Sequence, residues 1–282
     1  MAAPTETNLL DGLSDVANTA LATLFSRALE SRSSQPIIDD PKAEELMDRL
    51  TPMMTGNELQ RSLARGELEP SMQTYVALRS RQFDLYAAEF LRAHPEGMIV
   101  NLGCGFDTRR WRLGSERVLD VDLPEMISTR DQLLGDTAIG CDVLDPAWLS
   151  SIPPTGRIMF LAEGLLMYLP EADLRRLIGT LADRFPQSEL VAEMFNRYWL
   201  QEATSAAIDE RLRGQLHFGE SARFVSGIEE ADELLRWHPG IRLIDEWSFV
   251  DENEPKLGRL RKLRHFPLLR KRQWVVRYRF EN

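Results

Sequence analysis

The stretch MIVNLGCGFDTRRW, Met98–Trp111, decides the fold. It begins as an apolar run, narrows to glycine at Gly103 and Gly105, and then becomes polar and basic. In a doubly wound sheet the turn after the first strand is rich in glycine because a ligand approaches its backbone closely. The stretch therefore predicts a strand, a ligand-binding turn and a helix, although a merely tight turn explains Gly-x-Gly equally well.

The glycine pattern also indicates which ligand to expect. A dinucleotide-binding turn has the pattern Gly-x-Gly-x-x-Gly, but Thr108 occupies the third glycine position here. Polar side chains follow where a pyrophosphate group needs bare backbone amides. The turn thus favours a ligand without phosphates over a nicotinamide dinucleotide.

Outward from this stretch, short apolar runs alternate with helical patterns, which is typical of a parallel sheet covered on both faces. We predict a Rossmann-like doubly wound α/β sheet of five parallel strands, followed along the chain by two antiparallel strands, IRLIDEWSFV and QWVVRYRF. Helices are predicted at 14–32, 41–50, 73–93 and 171–185. The five predicted strands are Ile99–Leu102, Val118–Val121, Ala138–Cys141, Ile158–Ala162 and Leu190–Ala192. We expect one domain, 1–282, made of a helical cap (1–95), an α/β core (96–194), a helical lid insertion (195–240) and the terminal strand pair (241–282).

The composition limits the class of partner. The formal charge of −10 disfavours nucleic acid, because binding phosphates requires a basic face. Two cysteines form neither a disulfide framework nor a zinc motif, so we predict no metal and a cytoplasmic setting. No signal-peptide or membrane-spanning pattern is evident, so we expect no membrane partner. The oligomeric state stays open.

One segment departs from this acidic average. Lys256 to Arg279 contains ten Lys and Arg residues and no Asp or Glu. A charge run of this kind is usually a solvated face. The alternative is an anion-attracting rim beside the substrate entrance.

Acidic residues follow the predicted strands at their carboxyl ends. Asp122 stands about 20 residues after the glycines, where a carboxylate accepts hydrogen bonds from the ribose hydroxyls of an adenosine. Asp120 competes for that role, and a helix cap or turn aspartate is the simpler explanation for either residue. Asp142 after the third strand is placed to accept from an adenine amino group while the Val143 amide meets a ring nitrogen, although an Asp turn again explains it.

Glu163 ends the fourth strand, where an unpaired carboxylate is costly to bury. An ammonium group on the ligand would offset that cost, and an exposed helix cap is the alternative. We therefore expect a ligand with a ribose, an adenine and a cationic amine, because glycines, two aspartates and a glutamate are predicted to meet at one edge of the sheet. S-adenosyl-L-methionine has all three, and its carboxylate calls for an arginine.

With these residues, the chain resembles the leucine carboxyl methyltransferase family, in particular its bacterial branch, which includes a polyketide carboxyl methyltransferase. The matching stretches are RALESR, IIDDPKA, RSRQFD, IVNLGCGFDTRRWRL, VLDVDLPEMI, IGCDVLD and AEGLLMYLPE, within about 27–172. The resemblance implies S-adenosylmethionine as cofactor and Arg79 as the clamp on its carboxylate, with Arg81 as the second choice. It also implies that Arg27 reaches the cofactor, in place of a lysine in eukaryotic members. Gly103, Gly105, Asp122, Asp142, Val143 and Glu163 match the family's cofactor contacts.

The expected function is an O-methyltransferase acting on a carboxylate or hydroxyl of a small, polyketide-like molecule. Its pocket would be lined by Tyr168, Phe195, Tyr198 and Trp199, although at helical spacing these are also core residues. The catalytic residue stays unassigned; His217 is the histidine that we place near an acceptor as a base, and a polar lid residue is the alternative. Two other functions remain open: a protein C-terminal carboxyl methyltransferase, and a non-catalytic S-adenosylmethionine-binding module.

Overall fold

The protein forms a seven-stranded sheet with helices on both faces. This computed structural model describes residues 8–136, 138–153 and 156–281. The strands are β1 (Met98–Leu102), β2 (Val118–Asp122), β3 (Ala138–Gly140), β4 (Ile158–Ala162), β5 (Glu189–Phe195), β6 (Ile241–Trp247) and β7 (Gln273–Phe280). Their order across the sheet is β3-β2-β1-β4-β5-β7-β6.

The pairing of the strands confirms the predicted fold. Strands β1 to β5 pair in parallel, whereas β7 runs antiparallel to both β5 and β6. The carboxyl ends of the parallel strands are in register, with Leu102 beside Val121 and Ala162 beside Ala192. The residues that follow these strands therefore meet at one edge of the sheet.

Both faces of the sheet are covered, which explains why its strands are apolar throughout. Successive residues of a strand point to opposite faces. Accordingly, Val100 and Phe160 pack in one apolar cluster with the helix Glu171–Arg184, while Ile99, Met159 and Leu161 pack in a second cluster with the helix Pro70–Ala93. The α-helices are α1 (Asp15–Ser31), α2 (Pro41–Leu50), α3 (Glu58–Ala64), α4 (Pro70–Ala93), α5 (Arg109–Leu113), α6 (Pro124–Leu134), α7 (Glu171–Arg184), α8 (Glu202–Asp209) and α9 (Pro267–Arg270).

Strand β5 is longer than its apolar run predicts. The sequence indicates Leu190–Ala192, but the strand spans Glu189–Phe195 and all of it is buried. Glu189 is tolerated there because its carboxylate pairs with Arg277 and Arg279, and Glu193 because it pairs with Arg79. A pattern of apolar residues misses strand positions whose charges are paired inside the protein.

Residues 195–240, which we call the lid segment, are less regular than expected. Helix α8 and a π-helical turn, Glu210–Gln215, account for part of it, and a 3₁₀ helix covers Ala231–Arg236. Between them, residues 216–230 follow an irregular path with one bridge, from Ile228 to Asn196. Within the described residues, no helix is long and apolar enough to cross a lipid bilayer.

Candidate active site

The glycine turn after β1 has the backbone geometry that the sequence predicts. Gly103 and Gly105 have φ angles of +64° and +48°, which favour glycine. A Cβ on Gly105 would lie 2.8 Å from the Cβ of Ala20 on α1. The turn is therefore pressed against the N-terminal helix, and a larger residue at 105 would displace that helix.

A cavity of about 100 Å³, with carboxylates and arginines in its lining, opens above the strand ends, and we call it the strand-end cavity. Helix α1 forms one wall through Thr19 and Thr23. The structure thus brings together predicted ligand contacts that come from α1, α4, β1, β2 and β4. Those in the lining are Arg27, Arg79, Gly103, Gly105, Asp122 and Glu163.

Of the two competing aspartates on β2, Asp122 lines the cavity. Its carboxylate accepts hydrogen bonds from the Gly105 amide at 2.6 Å and the Leu123 amide at 2.7 Å. Burial raises the pKa of Asp122, and the two amide hydrogen bonds oppose that rise. Asp120 is instead buried beneath the turn, where it pairs with Arg130 at 2.8 Å and accepts from Asn101 at 2.9 Å. Asp120 is therefore part of the support of the turn.

Asp142 and Val143 lie outside the lining of the strand-end cavity. Asp142 is exposed and accepts a hydrogen bond from the Leu144 amide at 2.9 Å, which is the geometry of an Asp turn. Val143 is buried in the core. Asp142 and Val143 still follow β3, which pairs with β2. The Cys141 amide donates to the Asp122 carbonyl at 2.8 Å, so the two strand ends lie side by side.

Glu163 is paired within the protein, which corrects the expectation that its burial requires a ligand. Arg79 donates to it at 2.9 Å, Arg109 at 2.6 Å and Ser80 at 2.7 Å. Burial opposes ionisation, but Arg79 and Arg109 outweigh it and lower the pKa of Glu163 to about 2. The carboxylate is therefore charged at neutral pH.

Arg79 is buried between two glutamates. Its Nε atom donates to Glu163, and its Nη1 atom donates to both oxygens of Glu193, at 3.0 and 2.9 Å. Its Nη2 atom lies 3.8 Å from the position of a Cβ on Gly164. Arg81, the second choice for the clamp, is half-buried and pairs with Glu252 at 2.9 Å, and it does not belong to the cavity lining.

Glu193 is the site residue that sequence reasoning missed. It is fully buried in β5, and it accepts from Tyr75 and, at 2.7 Å, from the Gly164 amide. Gln273 donates to the same carboxylate at 2.6 Å. A glutamate inside the apolar run ELVAEMF was the available signal, because a buried carboxylate needs a partner.

Arg27 fixes the glycine turn to α1. Its Nη2 atom donates to the Phe106 carbonyl at 2.8 Å, and its Nε atom pairs with Asp40 at 3.0 Å. Asp40 also accepts from Thr108, the residue at the broken glycine position, and from Arg112 at 2.8 Å. The polar sequence after the glycines therefore anchors the turn to the N-terminal helices.

A second cavity, of about 150 Å³, lies beneath the lid segment, and we call it the lid cavity. Its walls are mainly apolar and aromatic, and they include Tyr168 and Phe195 as predicted. Tyr198 and Trp199 are not in the lining: Tyr198 is 39% exposed, and Trp199 donates to the Leu268 carbonyl at 3.4 Å. His217 is also outside the lining, although its neighbours in sequence on both sides belong to it.

The two cavities share four lining residues, Thr19, Thr23, Arg79 and Gly164. We call this place the junction. It connects the space at the strand ends, where carboxylates lie in the lining, with the space under the lid segment, where aromatic and aliphatic side chains predominate. A ligand in one cavity can therefore contact a ligand in the other at the junction.

The doubly wound sheet, with one cavity at its strand ends and a second cavity beside it, has the Rossmann-like fold. Similarity to known proteins identifies the class of enzyme. The family model described as leucine carboxyl methyltransferase matches residues 20–143. The chain is 29% identical over 283 residues, 95% of its length and 98% of the relative, to the tetracenomycin polyketide synthesis O-methyltransferase TcmP of Streptomyces glaucescens. It is 33% identical over 201 residues to a putative S-adenosyl-L-methionine-dependent methyltransferase of Saccharopolyspora erythraea, covering 64% and 68% of the two chains.

This chain belongs to the leucine carboxyl methyltransferase family of S-adenosylmethionine-dependent methyltransferases. Among solved structures, a DUF574 family protein from Streptomyces avermitilis matches with a TM-score of 0.54 and 12% identity, covering 84% of this chain and 96% of the other. At that identity the likeness concerns the fold alone.

Proposed function

We propose that the protein transfers a methyl group from S-adenosylmethionine to an oxygen of a small, polyketide-like molecule. The observation that carries this proposal is the junction, where a cavity lined by carboxylates at the strand ends meets a cavity lined mainly by aromatic and aliphatic side chains. Transfer between two bound molecules requires their reacting atoms to be held near each other and away from water. The junction offers such a place between Thr19, Arg79 and Gly164.

The residues of the strand-end cavity fit the cofactor. Gly103 and Gly105 line the cavity without a Cβ, and a Cβ on Gly103 would lie 2.9 Å from Leu165, which is also in the lining. The Asp122 carboxylate suits the ribose hydroxyls, and Glu163 suits the amino group. We assign the cofactor's carboxylate to Arg79. Its Nε and Nη1 atoms donate to the two glutamates, and its Nη2 atom is the one that we assign to the cofactor. Asp142 and the Val143 amide remain our candidates for the adenine, and Arg27 for a supporting contact.

The charge around the strand-end cavity also suits a cation. The side chains that surround it are linked in one network of ion pairs and hydrogen bonds, and carboxylates outnumber guanidinium groups. The cofactor contributes an electrophilic methyl group on a positively charged sulfur. A surplus of fixed negative charge at short range favours binding of that charge. The network contains Arg27, Arg79, Arg109, Arg112 and Arg130 with Asp40, Asp84, Asp107, Asp120, Asp122, Asp136, Glu163 and Glu193.

The lid cavity favours a carboxylate over a hydroxyl as the group that is methylated. A carboxylate is ionised at neutral pH and needs no base, whereas a hydroxyl does. Among the described lining residues there is no histidine. Tyr75 and Tyr168 keep their protons, because burial raises the pKa of Tyr75 well above its usual value and that of Tyr168 to about 12. Glu193 is held by Arg79, Tyr75 and Gln273.

Methyl transfer to a panel of acceptors tests the proposal. The purified protein is incubated with cofactor labelled in the methyl group and with aromatic carboxylic acids, the matching alcohols and a peptide ending in leucine. We expect label in the acids. Label in the peptide alone would instead support the protein carboxyl methyltransferase, and cofactor binding without transfer to any acceptor would support the binding module.

The cofactor assignment has its own test. Asp122→Asn is expected to weaken S-adenosylhomocysteine binding at least about tenfold, because the amide replaces a charged acceptor of two hydroxyls. Asp145→Asn is the control, since Asp145 is exposed and caps a 3₁₀ helix outside both cavities. Isothermal titration calorimetry gives both affinities. Unchanged binding by Asp122→Asn contradicts the ribose assignment.

A further inference from the structure

Arg272 is a cation in the lid cavity that has no acidic partner among the described residues. It immediately precedes β7, and its side chain belongs to the cavity lining. In the described part of the chain, no carboxylate is within ion-pair or hydrogen-bonding distance of its guanidinium group. Burial is the main cause that lowers the pKa of Arg272, and the charge of Arg211 adds to it. The group still stays charged at neutral pH.

Three other cations of the basic segment have acidic partners. Lys256 pairs with the buried Glu30, Arg270 pairs with Asp251 at 2.6 Å, and Lys271 pairs with Glu230 at 2.7 Å. These three cations are therefore neutralised within the protein. Arg272 differs from them, because it is half-buried in the cavity wall and no carboxylate of the described residues pairs with it.

A second arginine strengthens the contrast. Arg211, from the lid segment, lines the same cavity, and it contacts Glu69 at 3.4 Å. Two guanidinium groups that face one apolar cavity repel each other, and burial of an unpaired charge is costly. An anion bound between them would offset both costs.

The position of Arg272 separates it from the junction. Arg272 lines the lid cavity but not the strand-end cavity, so it is not one of the four residues that form the junction. An anion held by Arg272 therefore lies in the lid cavity, outside the junction.

We propose that Arg272, together with Arg211, binds an anionic group of the methyl acceptor that is not the group methylated. This rests on the proposed function and sharpens its substrate class. The acceptor is an apolar, aromatic molecule with two oxygen functions, one presented at the junction and one ionised group held by Arg272. Arg272 is thus a residue that determines specificity for charged over neutral acceptors.

Binding of two matched probes tests this. The protein is saturated with S-adenosylhomocysteine, so that the arginine at the junction is covered, and is titrated calorimetrically with 2-naphthoate or with 2-naphthamide. We expect the wild type to prefer the acid about tenfold, as a charge-assisted hydrogen bond provides. Arg272→Gln should reduce the preference to about twofold or less, and Arg272→Lys should keep part of it.

Arg264→Gln is the matched control, because Arg264 is an exposed arginine of the same basic segment that lies outside the lid cavity lining. It should keep the full preference. A preference that survives Arg272→Gln overturns the proposal, and so does a wild type that binds neither probe or both equally. If Arg272→Gln does not fold, Arg211→Gln replaces it, with a smaller expected loss.

Failure of this inference is distinguishable from failure of the proposed function. S-adenosylhomocysteine binding is measured first, on every variant. If the wild type does not bind it, the cofactor assignment fails. If it binds but shows no preference between the naphthalene probes, only the anion site fails.

Discussion

The strand-end cavity and the lid cavity are held together by different forces. Around the first, buried carboxylates and guanidinium groups are joined by hydrogen bonds such as those of Glu163 and Glu193 to Arg79. Around the second, aromatic rings pack at centroid distances of 4.8 and 5.3 Å, as Phe224 does with Phe195 and Tyr168. The difference indicates that the first cavity is preorganised for one fixed ligand, whereas the second depends on shape and can change its ligand through lid residues.

The largest effect is expected when one charge is removed from the network of ion pairs around the strand-end cavity. Arg109 is 1% exposed and pairs with Asp84 at 2.7 Å, with Glu163 at 2.6 Å and with Asp107. Arg109→Met leaves three carboxylates without that cation, so we expect the free energy of unfolding in urea to fall by about 3–5 kcal/mol. Arg61→Met, in an exposed pair with Glu58, should cost less than about 1 kcal/mol. Equal losses in the two variants contradict the prediction.

Cofactor binding should separate two arginines that lie two positions apart on α4. Arg79→Ala removes the group that we assign to the cofactor's carboxylate, and we expect the affinity for S-adenosylhomocysteine to fall at least about tenfold. Arg81→Ala is the control, since Arg81 pairs with Glu252 outside the cavity. Thermal unfolding first shows that both variants are folded. Calorimetry then measures the affinity of each for S-adenosylhomocysteine. The assignment is wrong if Arg81→Ala has the larger effect.

The pH dependence of stability should reveal the ion pairs of Glu163. Because its pKa is lowered to about 2 in the folded protein, its contribution is fully present above its unfolded pKa and decreases as the pH falls toward 2. The stability difference between wild type and Glu163→Gln should therefore shrink by about 1 kcal/mol from pH 6 to pH 3.5. Urea unfolding at both pH values measures it. If the difference in the free energy of unfolding is the same at both pH values, Arg79 and Arg109 do not lower the pKa of Glu163.

The smallest expected effect is in the lid cavity. Phe224→Ala removes a ring that contacts Phe195 and Tyr168, so binding of 2-naphthoate to the S-adenosylhomocysteine complex should weaken about threefold. The affinity for S-adenosylhomocysteine itself should stay unchanged. Tyr198→Ala, at an exposed aromatic outside the lining, is the control and should alter neither affinity. A loss of cofactor affinity in Phe224→Ala would show that the cavities are not independent.

The sheet and the strand-end cavity were largely predictable because local sequence determines them. A parallel strand buried on both faces must be apolar, and whatever follows it must lie at the ligand-binding edge. Gly103, Asp122 and Glu163 are therefore recognisable by position alone, and the structure brings them to one cavity. The choice of Arg79 over Arg81 as the clamp on the cofactor's carboxylate came from the family resemblance and stays a prediction; the structure places Arg79, and not Arg81, in the cavity lining.

The partners of these residues could not be predicted, because pairing depends on contacts between distant parts of the chain. Glu193 reaches Arg79 across 114 positions, and Arg27 reaches Phe106 across 79. The prediction for the lid segment was wrong for another reason. It assumed helical spacing, whereas residues 216–230 have no periodic secondary structure. Side chains other than Tyr198 and Trp199 therefore line the lid cavity.

The central place of β7 in the sheet has a consequence for biosynthesis. This strand lies between β5 and β6 but follows both along the chain. During translation, β5 and β6 therefore leave the ribosome with open edges that invite association with other nascent chains. Entry of β7 covers the free edge of β5 and one edge of β6 at once, and it brings the adjoining Arg272 and Gln273 to the wall of the lid cavity in the same step.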